Sequence, residues 1–379
     1  MNKLFISLSI LLLPAVVMAQ KKDKLATPKV YDLLIGGYTN PDGNVGISVY
    51  RFYAETGRTS FLSEVKTASP TFICVSPDRK FVYSVNAIPD GSVSAFSFDY
   101  NTGLLKFINK QPSVGRNPAH ITIDKEAKNV IVSNYGNGTL SVLPINKDGS
   151  LAPATQTIIG EGTSINPQRQ AGPHIHSAIF SPDEKHVLYA DLGTDKISIA
   201  KYKAGKVPAL TPEDVAVEKV KPGSGPRIFD FSPDGRFLYL INEMGATVNC
   251  YSYEKGKIKF IDSVGLASPG FTGSSSAADV HLTPDGRFLY ATNRGTANEL
   301  VVYSVDQATG KLTNVIRYPT GKEPRNFVID PSGNFLMLAS QLSDSVQIYK
   351  IDKLTGILIP INSMISIPTP TVLKLVSAE

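Results

Sequence analysis

The chain has 379 residues, 42% hydrophobic and 19% charged, with a formal net charge of +5, two cysteines and no tryptophan. That apolar fraction supports a buried core and excludes a disordered chain, and two cysteines are too few for a disulfide scaffold. The mild positive charge is spread over turns, with no Lys/Arg run interleaved with aromatics, which argues against a nucleic-acid partner.

The opening MNKLFISLSILLLPAVVMAQ places a lysine near the start, an apolar run from Leu4 to Val17 and small residues before Gln20. This reads as a signal peptide over residues 1–19, and hence as export, most simply to a bacterial periplasm. The run is broken by Ser7, Ser9 and Pro14 and is too short for a span, so no membrane span is expected after cleavage. Residues 20–30, with Lys21, Lys22, Asp23 and Lys24, form a flexible leader, and residues 31–379 form one domain.

Within that domain one phrase recurs: a turn, then an apolar run ending in a small polar residue. It reads SPDRKFVYSVN from Ser76, SPDEKHVLYAD from Ser181, SPDGRFLYLIN from Ser232 and TPDGRFLYATN from Thr283. Weaker copies are DKEAKNVIVSN from Asp124 and DPSGNFLMLAS from Asp330. The closing residues Asn86, Asn134, Asp191, Asn242, Asn293 and Ser340 are separated, by subtraction, by 48, 57, 51, 51 and 47 residues. LLIGGYT is a further copy without its turn, with Tyr38 48 residues before Asn86. A period near fifty with several short strands per repeat predicts an all-β β-propeller.

Each repeat reads as four strands, as in RIFDF, RFLYLIN, TVNCYSY and KIKFIDS after Pro226, joined by Pro/Gly turn chemistry. Seven first strands follow Pro70, Pro118, Pro173, Pro226, Ala277, Pro324 and Pro370. The chain opens on a second strand (residues 31–38) and closes on a first strand (residues 371–376). The C-terminal innermost strand should therefore join the N-terminal blade and close a seven-bladed ring of four-stranded blades. Cys74 and Cys250 fall in strands far apart in sequence and are expected to be buried free thiols. The wide spacing reflects a linker, roughly residues 158–173.

In such a blade the start of the first strand and the end of the second meet near the axis, on one face. Five residues before the turn residue stand Thr71, Ala119, His176, Arg227, Ala278 and Arg325; four before stand His120 and Asp279, with His281 one alternation later. After the second strands come Tyr135, Glu243 and Arg294, while His174 and Arg169 lie in the linker that feeds this face. His186 falls in a turn and is expected to be exposed. The terminal Asn/Asp series reads mainly as strand-end capping. Arg, His, Glu and Asp are costly in a channel wall unless paired or liganded, so His176, Arg227, Glu243 and Arg294 predict a cationic pocket with one acid. His174 and His176 could chelate a metal with Asp279 and His281, but flanking arginines disfavour a cation, so no metal is expected.

The phrases NPAH, SNYGNGTLSVLPIN, INPQRQAGPHIHSAIFSPD, ADLGTDKI, GSGPRIFDFSPDGRFLYLINE, FTGSSSAADVHLTPDGRFLYATNRG and PRNFVIDPSG carry a family resemblance. The chain resembles the seven-bladed propeller lactonases, which group 6-phosphogluconolactonases with carboxy-muconate cyclases. The resemblance implies an anionic sugar-lactone substrate, no cofactor, and a catalytic set of His176, Arg227, Glu243 and Arg294. The chain departs from the family where Ala339-Ser340-Gln341 replaces the usual Asn-Gln pair, and in carrying a signal peptide.

The expected reaction is hydrolysis of a sugar lactone such as 6-phosphogluconolactone or a related aldonolactone. His176 or Glu243 would activate water, and Arg227 and Arg294 would hold the oxyanion or an anionic substituent. His120, Arg169, His174, Asp279, His281 and Arg325 are expected to bind substrate, in a monomer. Cycloisomerisation of a dicarboxylate in the same pocket is the second enzyme reading. A non-catalytic exported binding propeller is the alternative of another class.

Overall fold

A computed structural model describes residues 29–40 and 43–379. The signal-peptide region and most of the proposed leader lie outside the described residues. Seven four-stranded antiparallel sheets follow one another in chain order, each running from an innermost to an outermost strand. Only the first blade is built from both chain ends. Its innermost strand, Pro370–Ser377, pairs antiparallel with Val30–Gly37, so the ring closes as the offset of the repeats predicts. Among the described residues the helical content is two 3-10 turns, Tyr135–Asn137 and Gln341–Ser343, and no helix is long and apolar enough to cross a membrane.

The recurring phrase has a packing cause. Its Ser or Thr hydroxyl bonds the turn aspartate, as Ser232 does with Asp234 at 2.6 Å and Thr283 with Asp285 at 2.6 Å. The aromatic that opens the second strand then covers a turn glycine of the next blade, and the tyrosine two residues on donates to that glycine's carbonyl. Tyr83 reaches Gly149 at 3.1 Å, Tyr239 reaches Gly310 at 2.9 Å and Tyr290 reaches Gly356 at 2.7 Å. Gly310 has φ +76, and a Cβ there would meet the Phe237 ring at 2.5 Å. Apolar clusters between adjacent blades complete the seam, for example Ile228, Tyr239, Ile241 and Cys250 against Leu289, Val301 and Tyr303. Truncating such a residue to alanine costs about 2–5 kcal/mol.

His186 corrects the sequence expectation. It opens the strand His186–Asp191, is only 7% exposed, and takes the place that Phe237 and Phe288 hold in other blades. Its ring lies over Gly256 of the next blade, 3.3 Å from the Tyr253 hydroxyl. The histidine is buried because that register position is the inter-blade lid. Cys74 and Cys250 are buried and free, as expected from their strands.

Candidate active site

The side chains that converge on the axis do so through a repeated irregularity. In blade 4, Ile175 pairs with Asp191 and Ser177 with Ala190, leaving His176 as an extra, unpaired residue. In blade 5, Pro226 pairs with Asn242 and Ile228 with Ile241, leaving Arg227. Arg325 in blade 7, Ala119 in blade 3 and Thr371 in blade 1 are bypassed in the same way. A β-bulge breaks the alternation of faces and re-aims the extra side chain. All five of these residues line one cavity of about 270 Å³ at the axis. In blade 6 the shift falls between Ala277 and Val280, and there Asp279 reaches the cavity.

Glu243 follows the second strand of blade 5 and is fixed through its backbone. Its N–H donates to Gly225 O at 2.7 Å and its carbonyl accepts from Ala277 N–H at 3.0 Å, tying it to blades 5 and 6. Three guanidinium groups close on its carboxylate. Arg169 donates to Oε1 at 2.7 Å, Arg227 Nε donates to Oε2 at 2.9 Å, and Arg294 lies 3.3 Å from Oε2. Glu243, Arg227 and Arg294 are each buried. Burial alone would raise the Glu243 pKa, but Arg294 and Arg227 hold it well below the ordinary carboxylate range. Burial, with the like charge of Arg294, lowers Arg227 to about 10, so it stays cationic at neutral pH.

His176 is buried beside this cluster, its ring edge-on to Tyr135 at 5.5 Å. Burial, then the Arg227 charge, push its pKa well below the usual histidine value, so it is neutral at pH 7. Its buried Nδ1 has no hydrogen-bond partner among the described residues.

Arg169 and Arg227 depend on one further residue. Asp195 accepts from Ser164 Oγ at 2.6 Å and Gln170 Nε2 at 2.8 Å in the linker, and from Gly223 N–H and Gly225 N–H, each at 2.7 Å. The linker bearing Arg169 is thereby pinned to the loop that precedes Arg227. Gly225 has φ +66, which favours glycine there.

Of the expected substrate-binding residues, Arg169, Asp279 and Arg325 line the cavity with His176, Arg227, Glu243 and Arg294, the four expected to be catalytic. Three histidines sit behind it. His120 packs on Phe72 with ring centroids 4.2 Å apart, because the bulge presents Ala119 instead. Burial lowers His120 to about 3. His174 stacks on Tyr135 at 4.6 Å and donates from Nδ1 to the Tyr135 carbonyl at 2.7 Å. His281 lies one alternation further along the strand, 3.3 Å from Asp279 and 3.5 Å from Asp230. Burial opposes its charge, but the two carboxylates raise its pKa to about 10.

Two tyrosines join the cavity that the sequence did not assign as site residues. Tyr135, in the 3-10 turn after Asn134, accepts from Arg169 at 3.1 Å; Tyr38 stands beside Arg325. Each occupied a visible register position, at or just after the end of a second strand. The terminal asparagines turn away from the cavity: Asn86 donates to Ala68 O at 2.6 Å and Asn134 to Ser113 O at 3.0 Å, which makes them structural. Among the described residues, no group of three His, Cys, Asp or Glu could hold a metal.

The family model for "Lactonase, 7-bladed beta-propeller" matches residues 32–375. A 6-phosphogluconolactonase of Formosa agariphila is 37% identical over 330 residues, covering 86% of this chain and 93% of that protein. A 6-phosphogluconolactonase of Bacillus subtilis is 34% identical over 348 residues, covering 90% and 97%. Among solved structures, the periplasmic gluconolactonase of Pseudomonas aeruginosa superposes with a TM-score of 0.86 at 32% identity, covering 92% of this chain and 100% of that one. The chain therefore belongs to the seven-bladed β-propeller lactonases, hydrolases of cyclic esters.

Proposed function

We propose that the chain hydrolyses a small sugar lactone, 6-phosphogluconolactone or a related aldonolactone, without a metal, and that it is exported. The observation that carries this reading is a neutral His176 beside a carboxylate already held by three arginines, facing one small cavity. Glu243 makes a poor base, since protonating it would forfeit all three ion pairs. His176 is the group with a lone pair to offer: it takes a proton from water as the oxygen adds to the ring carbonyl. Arg227 and Arg294 face the developing oxyanion, and Glu243 sets their geometry. On collapse the ring C–O bond breaks, the imidazolium returns the proton to the departing alkoxide, and the open-chain acid leaves. The acidity of a buried imidazolium favours that second transfer.

The signal-like N-terminal stretch and the periplasmic gluconolactonase among the related structures support export. Turnover of 6-phosphogluconolactone and gluconolactone, followed continuously against the spontaneous rate, tests the reaction. A rate no higher than background on both would reject it. Cell fractionation tests the compartment.

A further inference from the structure

The cavity has one cation that its own carboxylates do not use. Four guanidinium groups line it, those of Arg169, Arg227, Arg294 and Arg325, against the carboxylates of Glu243 and Asp279. Glu243 is taken by the first three. Asp279 is committed elsewhere: its Oδ2 accepts from Asn326 Nδ2 at 2.6 Å, from Phe327 N–H at 3.0 Å, and lies 3.3 Å from His281. Arg325 thus has no carboxylate partner among the described residues.

Its neutral neighbours place it and leave its charge in force. Gln341 Oε1 accepts from one terminal nitrogen at 3.1 Å, and the Tyr38 hydroxyl lies 3.4 Å from the other. The guanidinium carbon sits 5.4 Å from the Tyr38 ring centroid. Tyr38 comes from blade 1 and Gln341 from the 3-10 turn of blade 7, so residues from both sides of the ring closure aim one planar cation. A charge held beside three like charges favours an anion at this position. The wall between Arg325 and the blade 3 side of the cavity is uncharged, with Thr371, Thr71, Phe72, Ala87 and Ala119. A sugar ring fits against such a wall.

We propose that Arg325, with Tyr38, is a subsite for a phosphate or carboxylate that the substrate carries away from its lactone carbonyl. This rests on reading the cavity as lactone-hydrolysing. The carbonyl lies at His176, Arg227 and Arg294, and the second anion meets the planar donor pair of Arg325, a fork matched to phosphate or carboxylate oxygens. The residue sets specificity and takes no part in proton transfer.

The test combines kinetics with binding. Steady-state rates on 6-phosphogluconolactone, glucarolactone and gluconolactone separate phosphate, carboxylate and no second anion, for the wild type, R325Q and R325K. Titration calorimetry with 6-phosphogluconate and gluconate reads binding without turnover, and thermal unfolding checks that the variants fold. The preference for an anionic over the neutral lactone should fall about 10- to 100-fold in R325Q, mainly through KM, as loss of a charged hydrogen-bond pair implies. R325K should recover part of it. Which anionic lactone loses most identifies the substituent. Equal losses on all three lactones, or a wild type that prefers neither 6-phosphogluconolactone nor glucarolactone to gluconolactone, would overturn the subsite. Arg325-dependent binding of 6-phosphogluconate with no lactone turned over would sink the hydrolysis reading and leave the subsite standing.

Discussion

Arg227 Nε stands 2.9 Å from Glu243 Oε2, joining the bulged residue of one innermost strand to the residue that follows its partner strand. The same guanidinium also donates to the Ala278 carbonyl in the next blade. Arg227 is therefore oriented from two blades before any ligand arrives, with its remaining donor capacity turned to the cavity.

Replacing Arg227 with alanine should lower kcat by about two to three orders of magnitude, the usual loss of an oxyanion donor. Arg227→Lys should recover little, because an ammonium cannot serve Glu243 and the Ala278 carbonyl together. An unchanged steady-state rate for Arg227→Ala would remove this residue from the mechanism.

Glu243→Gln should be costly to the fold as well as to turnover. It leaves three arginines without their shared counter-charge, and breaking a buried pair costs about 3–5 kcal/mol. Urea unfolding followed by tyrosine fluorescence or circular dichroism reads the loss directly. If stability is unaltered, the cluster is not held as described.

The rate should be insensitive to acid through the ordinary histidine range. His176 is neutral well below its usual pKa because it is buried beside Arg227, so the base remains available there. Background-corrected kcat/KM between about pH 5 and 8 should therefore show no fall centred on the normal imidazole value. A limb at 6.5 that disappears in His176→Gln would mean that the imidazole is solvated and ordinary.

Stability should respond to pH with two opposite signs. His120 has its pKa lowered by burial from 6.5 to about 3, so the unfolded chain takes up a proton that the folded chain refuses. Its contribution is present above pH 6.5 and is lost as pH falls toward 3, with a slope of at most about 1.4 kcal/mol per pH unit. His281 is raised to about 10 by Asp279 and Asp230, so its contribution is present below 6.5 and is lost as pH rises through 10. About a third of its side chain is exposed, so solvent weakens that pairing. Denaturant midpoints across pH for His120→Phe and His281→Gln should flatten the acid and alkaline sides respectively.

Prolonged EDTA treatment should leave turnover unchanged, because three arginines occupy Glu243, and Asp279 is committed to Asn326 and Phe327. Loss of activity restored by a divalent cation would contradict this.

The strands were legible in the sequence because apolar runs and turn residues repeat the same physics in every blade, and even the closure by residues 370–377 followed from counting first strands. The meeting of His176, Arg227, Glu243 and Arg294 was legible through register. What register could not supply was the bulge. Ala119 and His120 are adjacent, and plain alternation does not say which meets the cavity; one unpaired residue decides for Ala119. Register places Tyr135 on the converging face without giving it a role, and Tyr38 is hidden because aromatics in strand-like runs also serve as core. His186 was misjudged because a turn motif hid a position that in sister blades holds phenylalanine. The Asp195 anchor had no local signal at all, since its four donors come from two separate loops.

The unpaired residue at the head of the innermost strand has a consequence for how such rings diversify. It stands outside the ladder, so strand pairing does not depend on its side chain, although Arg227 also reaches the next blade through the Ala278 carbonyl. Threonine occupies that address at Thr371 and alanine at Ala119, while its sisters hold His176, Arg227 and Arg325. Five of the seven blades thus offer a variable socket around one axis, and new ligand chemistry can be written there by single substitutions without redrafting the strand pairing that carries it.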